Sequence, residues 1–297
     1  MTKRLFLFAS YDKNNVIDDT VVHYIKHLST LGDIIFVMDN YTPPSELKKI
    51  TDIDNVLYIS AVRHCEYDFG SYKRGYVWAK SKNILENYDW MYLVNDSVYG
   101  PLSTLHGILS DLENRGVDEV GMVENYEEYH PTHIQSWFLG VSKKIFLEQF
   151  FYDFMKCIKH EDKKIDIITK YEVRLSRLIL RNGFKLSAYT KNEERGVNIC
   201  TQPVKALIQG VPFIKKSYTD VLPAAYLLNA HTDFPDLIDK IKHHMDIYDM
   251  HFGSNKYKKI YRLAFLSIPI FSIYKKRIDK TYKVYLFDKI LILKISK

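Results

Sequence analysis

The chain has 297 residues, 46% of them apolar, and a net charge of +6. That composition is ordinary for a globular protein with a sizeable core, and the length suits one large domain or one and a half. The charge is divided, because residues 255–297 hold 12 Lys/Arg against 2 Asp, a balance of +10, leaving residues 1–254 mildly acidic.

Three cysteines, Cys65, Cys157 and Cys200, form neither a metal-type pair nor an even disulfide set, and fit free thiols in a reducing cytosol. The opening residues carry only a brief apolar run before Asp12, so no signal peptide is expected. No apolar stretch is long enough to cross a bilayer.

Leu5 to Ala9 reads as a first strand, with Ser10 to Asn15 as its polar exit loop. Val21 to Leu31 has helical spacing and stops at Gly32. Ile34 to Met38 is a second strand ending at Asp39, and Pro43, Pro44 and Ser45 open a short helix. Val56 to Ser60 is a third strand. The polar and aromatic block Arg63 to Gly75 then leads into a helix reaching about Asn87.

Trp90 to Val94 is a fourth, apolar strand that stops at Asn95, Asp96 and Ser97 before the turn at Gly100 and Pro101. Alternating strands and helices imply a largely parallel, doubly wound sheet. In such sheets ligands collect where strands end at the carboxyl edge. Four successive exits deliver Asp12, Asp39, Asp68 and Asp96, which points to a nucleotide site. The plainer alternative is a set of Asx-type turns.

Further on, Leu105 to Arg115 reads as a helix and Glu119 to Glu124 as a strand leaving into an acidic, aromatic loop up to His130. His133 to Val141 alternates like one strand, residues 143–158 like an aromatic helix, Ile165 to Asn182 like a helix capped by Gly183, and Phe184 to Tyr189 like a last strand. His130 and His133 are separated by Pro131, and two histidines make a poor zinc site. The basic tail interleaves Lys and Arg with Ile, Leu, Phe and Tyr, which suits a surface-lying anchor on anionic lipid. No nucleic-acid reading module is recognisable, and no nucleic-acid partner is expected.

Six blocks in order resemble the rhamnan synthesis protein F family, glycosyltransferases of bacterial cell-surface polysaccharide assembly: Tyr67 to Gly75, Asn95 to Pro101, His133 to Phe138, Tyr171 to Leu175, Asn182 to Phe184 and Pro212 to Lys215. The resemblance covers roughly residues 4–220 and leaves out the basic tail. It implies an α/β, GT-A-like (Rossmann-like) catalytic domain over residues 1–220, while the composition beyond it reads as a helical, basic, membrane-associating extension over 221–297.

It also implies chemistry. A UDP- or dTDP-sugar would give up a rhamnose- or galactose-type sugar to a lipid-linked polysaccharide such as a capsule, O-antigen or rhamnan, at the cytoplasmic face of the bacterial inner membrane. Glu172 matches the segment that carries the general base of many inverting enzymes. Its alternative is an exposed Glu paired with Arg174 or Arg177. Asn95, Asp96 and Ser97 stand where the fold keeps an Asp-any-Asp triplet, so Asp96 could hold Mg²⁺ or Mn²⁺ through the diphosphate, or only cap a turn or bond the ribose. Ser10, Asp39, Asp68, Lys73 and Arg74 complete the expected donor side, the last two because cations near a helix start suit phosphate. Gln135, Ser136 and Trp137 are expected on the acceptor side, with Glu124 as the reserve base. The competing readings are a non-catalytic glycan- or nucleotide-binding scaffold, and a nucleotidyltransferase. The latter needs a Gly-rich loop after the first strand, which Ser10 to Asn15 lacks.

Overall fold

The computed structural model describes residues 2–125, 132–191, 198–221, 226–248 and 250, and the backbone of 257–265, 268–276, 282–286 and 290–295. In chain order the elements are β1 (Arg4–Ser10), α1 (Asp19–Ser29), β2 (Asp33–Met38), α2 (Pro44–Thr51), β3 (Val56–Ala61), α3 (Tyr67–Ser81), β4 (Trp90–Asn95), β5 (Val98–Tyr99), α4 (His106–Glu113), β6 (Glu119–Asn125), β7 (His133–Ile134) and β8 (Phe138–Ser142). They continue with α5 (Lys143–Phe146), α6 (Gln149–Cys157), α7 (Lys164–Ile167), a π-helical turn (Ile168–Val173), α8 (Arg174–Arg181), β9 (Leu186–Lys191), α9 (Pro203–Ile208), β10 (Ile214–Lys215), α10 (Tyr226–Asn229), α11 (Pro235–Ile247) and β11 to β14 (Tyr257–Phe265, Ile268–Lys276, Tyr282–Leu286, Ile290–Ile295).

The main sheet has eight strands in the order β3-β2-β1-β4-β8-β6-β7, with β9 also on β6. Strands β1 to β4 are mutually parallel, as is the β6–β9 pair, while β8 runs antiparallel to both β4 and β6. This is the mostly parallel, helix-flanked α/β sheet expected of a GT-A-like chain. Successive residues of β1 face opposite sides. Phe6 and Phe8 join a core containing Val21 and Leu109, whereas Leu5, Leu7 and Ala9 join one containing Phe69, Phe151 and Leu175. Burial on both faces explains why these strands read as continuous apolar runs. Gly140 lies opposite Tyr92 in the β4–β8 ladder, where a Cβ would come within 2.4 Å of the Tyr92 ring.

Three stretches differ from the sequence reading. His133 to Val141 is two strands, interrupted so that residues 135–137 turn away from the ladder. The helix expected over Ile165 to Asn182 has a π-helical turn at Ile168–Val173, an insertion of the kind that collects at functional sites. The helix expected over 143–158 breaks between Phe146 and Gln149.

The C-terminal expectation is corrected twice. The boundary at 220 cuts a single core, because Tyr99 and Leu102 pack with Leu228, Leu237, Ile241 and Met245 of the following helices. Beyond them the extension is not helical: β11 to β14 form a four-stranded antiparallel sheet. Strict helical spacing was never present there, and β-branched and aromatic residues interleaved with Lys favour strands.

Candidate active site

A cleft of about 740 Å³ runs across the carboxyl ends of β1, β2 and β4. Asp12, Asp39, Asp68 and Asp96, the four acids of the strand exits, all line it, together with Ser10 and Ser97. A second lobe of about 300 Å³ is lined by Asn95, Gln135, Ser136, Trp137 and Glu172. Tyr67, Asp68 and Ser97 border both, so the two lobes meet at a seam.

The polar triplet splits its work. Asn95 Nδ2 donates to Asp68 at 2.8 Å, and Asn95 Oδ1 accepts from the Ser97 backbone N–H at 3.1 Å. The Asp96 carboxylate accepts from Ser10 Oγ at 2.6 Å and from the Tyr11 backbone N–H at 3.1 Å, which ties β1 to β4 under the cleft floor. Burial raises its pKa against the pull of Lys216. Asp39 is held by Arg63 at 2.9 Å and by the backbone N–H of Cys65 at 3.0 Å, so it fixes the loop after β3 while bordering the cleft.

Asp68 stands in the first turn of α3. That turn is shaped by Gly70, where a Cβ would lie 2.2 Å from Glu66 Cβ and 2.9 Å from the His64 ring. Burial, then the nearby Asp96 charge, push the Asp68 carboxyl up to about 7. A carboxyl so displaced in a cleft marks a candidate functional site.

Glu172 is delivered by the π-helical turn. It accepts from the Ser136 backbone N–H at 2.8 Å and from Ser136 Oγ at 2.5 Å, and His133 Nε2 lies 3.6 Å from its other oxygen. Burial would raise its pKa, but the bonds from His133 and Ser136 outweigh it and hold Glu172 below the usual carboxylate value. The expected alternative, a pairing with Arg174 or Arg177, is not what its side chain does. Tyr72 OH donates to the Ser136 carbonyl at 3.0 Å and accepts from Asn95 at 3.2 Å, so a continuous hydrogen-bond chain joins the lobes.

Several expected residues do other work. Lys73 and Arg74 line neither lobe; both pair with Glu66, at 2.6 and 2.7 Å, from the second turn of α3. Glu124 sits near the end of β6 in register with Ile134 and borders neither lobe. Trp137 lines the second lobe but is buried: its Nε1 donates to Gln135 Oε1 at 2.8 Å and its ring packs on Phe213, making it wall more than open platform. Gln135 is tied in turn to Asn198 at 3.0 Å. His130 and the rest of the acidic, aromatic loop beyond Asn125 lie outside the described residues.

Sequence reasoning missed the cations that do reach the cleft. Lys216 lines the first lobe, as do Lys13 and Arg63, and Lys215 lines the second, as does Lys164. The signal for Lys215 and Lys216 was present at the Pro212 to Lys215 block, a short apolar run ending in Lys215 and followed directly by Lys216. Among the described residues no group of three or more His, Cys, Asp or Glu side chains is arranged to hold a metal. Asp68 senses the Asp96 charge most strongly among its carboxylate neighbours and Glu172 less, while Asp96 also senses Asp18.

Fold and site together define an α/β protein of the GT-A-like class, with an acid-lined cleft at the carboxyl edge of its sheet. A family model for rhamnan synthesis protein F matches residues 34–289, and the chain belongs to that family. The match begins at β2 and runs into the basic tail, which therefore lies within the family's reach and not outside it. Uncharacterized protein y4gN of Sinorhizobium fredii is 25% identical over 130 residues, covering 43% of this chain; those residues span about a third of that relative, 33% of its length. Similar solved structures include the mannosyltransferase Ktr4p from S. cerevisiae, at 8% identity over 52% of this chain and 59% of that one, with a TM-score of 0.37. A glycosyltransferase involved in the glycosylation of the major capsid of PBCV-1 is 12% identical over 82% of this chain and 98% of that one, with a TM-score of 0.35. Family membership agrees with the glycosyltransferase class expected from the sequence.

Proposed function

We propose that the protein is an inverting glycosyltransferase that moves a sugar of rhamnose or galactose type from a nucleoside diphosphate to a lipid-linked cell-surface polysaccharide. The observation that carries this reading is the pair of joined lobes, with Asp96 on one side, the ionised Glu172 on the other, and Asp68 and Ser97 at the seam. A donor across the first lobe would bring its anomeric carbon to that seam. An acceptor hydroxyl in the second lobe would then attack. The bond from acceptor oxygen to C1 forms as the bond from C1 to the diphosphate oxygen breaks, and the hydroxyl proton passes to Glu172. Ser136 and His133 orient that carboxylate.

Asp96 and Asp68 are the residues that would hold a divalent cation, since Mg²⁺ needs only one or two carboxylates beside substrate phosphates. Such an ion would offset charge on the leaving diphosphate. The basic balance of residues 255–297 supports peripheral attachment at an anionic membrane surface, on the cytoplasmic face where lipid-linked acceptors and nucleotide sugars meet. No helix among the described residues is long and apolar enough to cross a membrane.

The test is a thermal-shift panel of UDP-, dTDP- and GDP-sugars with and without Mn²⁺, followed by transfer assays on Asp96→Ala and Glu172→Ala. Stabilisation by one donor class and loss of transfer in both variants is expected. Binding of donor with transfer intact in both variants overturns the mechanism. Binding with no transfer by the wild type favours the scaffold reading.

A further inference from the structure

We infer that Lys215 and Lys216 form a two-sided cationic clamp for the diphosphate of the donor, closing on Ser97 from either lobe. The inference rests on the proposed transfer reaction and names the groups that hold its leaving group.

The geometry comes from a two-residue ladder. Strand β10 pairs antiparallel with β5, placing Lys215 opposite Val98, and the Lys216 backbone N–H donates to the Ser97 carbonyl at 3.0 Å. Lys215 ends β10 and Lys216 begins the 3₁₀ turn that follows it, at Lys216–Val221. Lys215 lines the second lobe and Lys216 the first, with Ser97 bordering both.

Neither ammonium is used up by the protein. Lys215 Nζ donates to Ser97 Oγ at 2.8 Å and stands 5.6 Å from the centre of the Trp137 ring. Among the described residues it has no ion pair within 4.0 Å and no second hydrogen bond, although an ammonium carries three donors. Its surroundings lower its pKa by burial, against the attraction of Cys200, Glu172 and Asp68. Lys216 is 17% exposed at its side chain and has one loose carboxylate neighbour, Asp18, at 3.8 Å. A half-buried cation held this way is costly unless a ligand anion completes it.

The ligand class follows from the balance of charge. Asp68 at the seam and Asp96 in the first lobe repel a diphosphate, and Lys73 and Arg74 are committed to Glu66. Lys13 and Lys164 also line the lobes but are exposed, and Arg63 is paired with Asp39, so Lys215 and Lys216 are the sheltered cations that flank Ser97. As the bond from C1 to the diphosphate oxygen breaks, its electron pair leaves with the phosphate, and fixed ammonium donors on both sides stabilise the charge that develops there.

The test uses the full chain and its Lys215→Met, Lys216→Met and Lys216→Arg variants, titrated calorimetrically with UDP, dTDP and GDP in EDTA and again with Mn²⁺. The wild type is expected to bind one of the three in EDTA. Each Met variant should weaken that binding at least tenfold, while Lys216→Arg stays within about threefold. Thermal melts guard against misfolding, and Lys216, whose side chain keeps some solvent contact, makes its variant the decisive one should Lys215→Met not fold. Unchanged affinity in Lys216→Met, or wild-type binding that vanishes in EDTA, overturns the clamp and leaves the transfer reading standing. Failure of the wild type to bind any of the three with or without Mn²⁺ overturns both.

Discussion

Asn95 Nδ2 donates to the Asp68 carboxylate at 2.8 Å, so the residue that opens the polar triplet is spent on the neighbouring helix and not on a ligand. The bond presents Asp68 to the seam between the lobes and holds it beside Asp96. Two acids are thereby available at the cleft floor, although the triplet itself supplies one.

Placing those acids together has a thermodynamic consequence for Asp68→Asn. Burial and Asp96 raise the Asp68 carboxyl from 3.8 to about 7. Between those values the folded protein binds a proton that the unfolded chain has released, so stability falls as pH rises through this window. Asn keeps an acceptor for Asn95 and carries no charge. The variant is expected to be more stable than wild type at pH 8, by on the order of 2 kcal/mol after allowing for partial solvent contact, with the gain vanishing near pH 4. Urea melts at both pH values measure this. An equal effect at both would show that the folded protein does not displace this carboxyl.

Glu172→Gln separates chemistry from binding. Gln can still accept from Ser136, so the local fold is kept, but it cannot take a proton. The rate of transfer is expected to fall by about 10²–10⁴-fold, with donor affinity within about threefold of wild type. Because His133 and Ser136 hold Glu172 below its ordinary 4.5, the acid limb of the wild-type rate belongs below that value. A single limb near 7 that disappears in Asp68→Asn would assign the proton to Asp68 instead.

Far from the cleft, Arg4 meets Glu113 through two bonds of 2.6 and 2.7 Å, with side chains only 5% and 4% exposed, and Tyr92 OH also donates to Glu113 at 2.7 Å. Removing one partner strands a buried charge. Glu113→Ala is expected to cost about 3–5 kcal/mol, while Arg4→Met combined with Glu113→Met should cost less than the single change. Denaturant titration decides, and donor affinity in the surviving folded fraction should not move.

The sheet was legible because its strands are buried on both faces. Apolar runs such as Leu5 to Ala9 and Trp90 to Val94 leave little choice of element, and their polar exits gave Asp12, Asp39, Asp68 and Asp96 a shared edge. The second lobe was harder. Glu172 and Ser136 were reached through the family resemblance, since neither the π-helical turn nor the break at residues 135–137 has a distinctive period. Lys73 and Arg74 misled because sequence spacing places a cation near a helix start without showing the Glu66 that claims it. Lys215 and Lys216 went unassigned because a two-residue strand has no periodicity to read. The tail was misjudged as a helix because its basic and apolar mixture speaks to where it binds more than to its backbone.

That composition leads to the last prediction. Residues 255–297 carry a balance of +10, and each Lys or Arg near an anionic surface contributes about 1 kcal/mol. A sheet can present such charges as well as a helix can, so the change of backbone leaves the electrostatics intact. Replacing Lys256, Lys258, Lys259 and Arg262 by Gln in the full chain should cost up to about 4 kcal/mol of membrane affinity. Co-sedimentation with vesicles containing phosphatidylserine at low salt is expected to drop by a hundredfold or more in partition coefficient, roughly. Neutral vesicles should bind neither protein, and raised salt should release the wild type, since screening shortens the reach of these charges to about 10 Å at 0.1 M. Undiminished sedimentation of the four-Gln variant would place the attachment elsewhere on the chain.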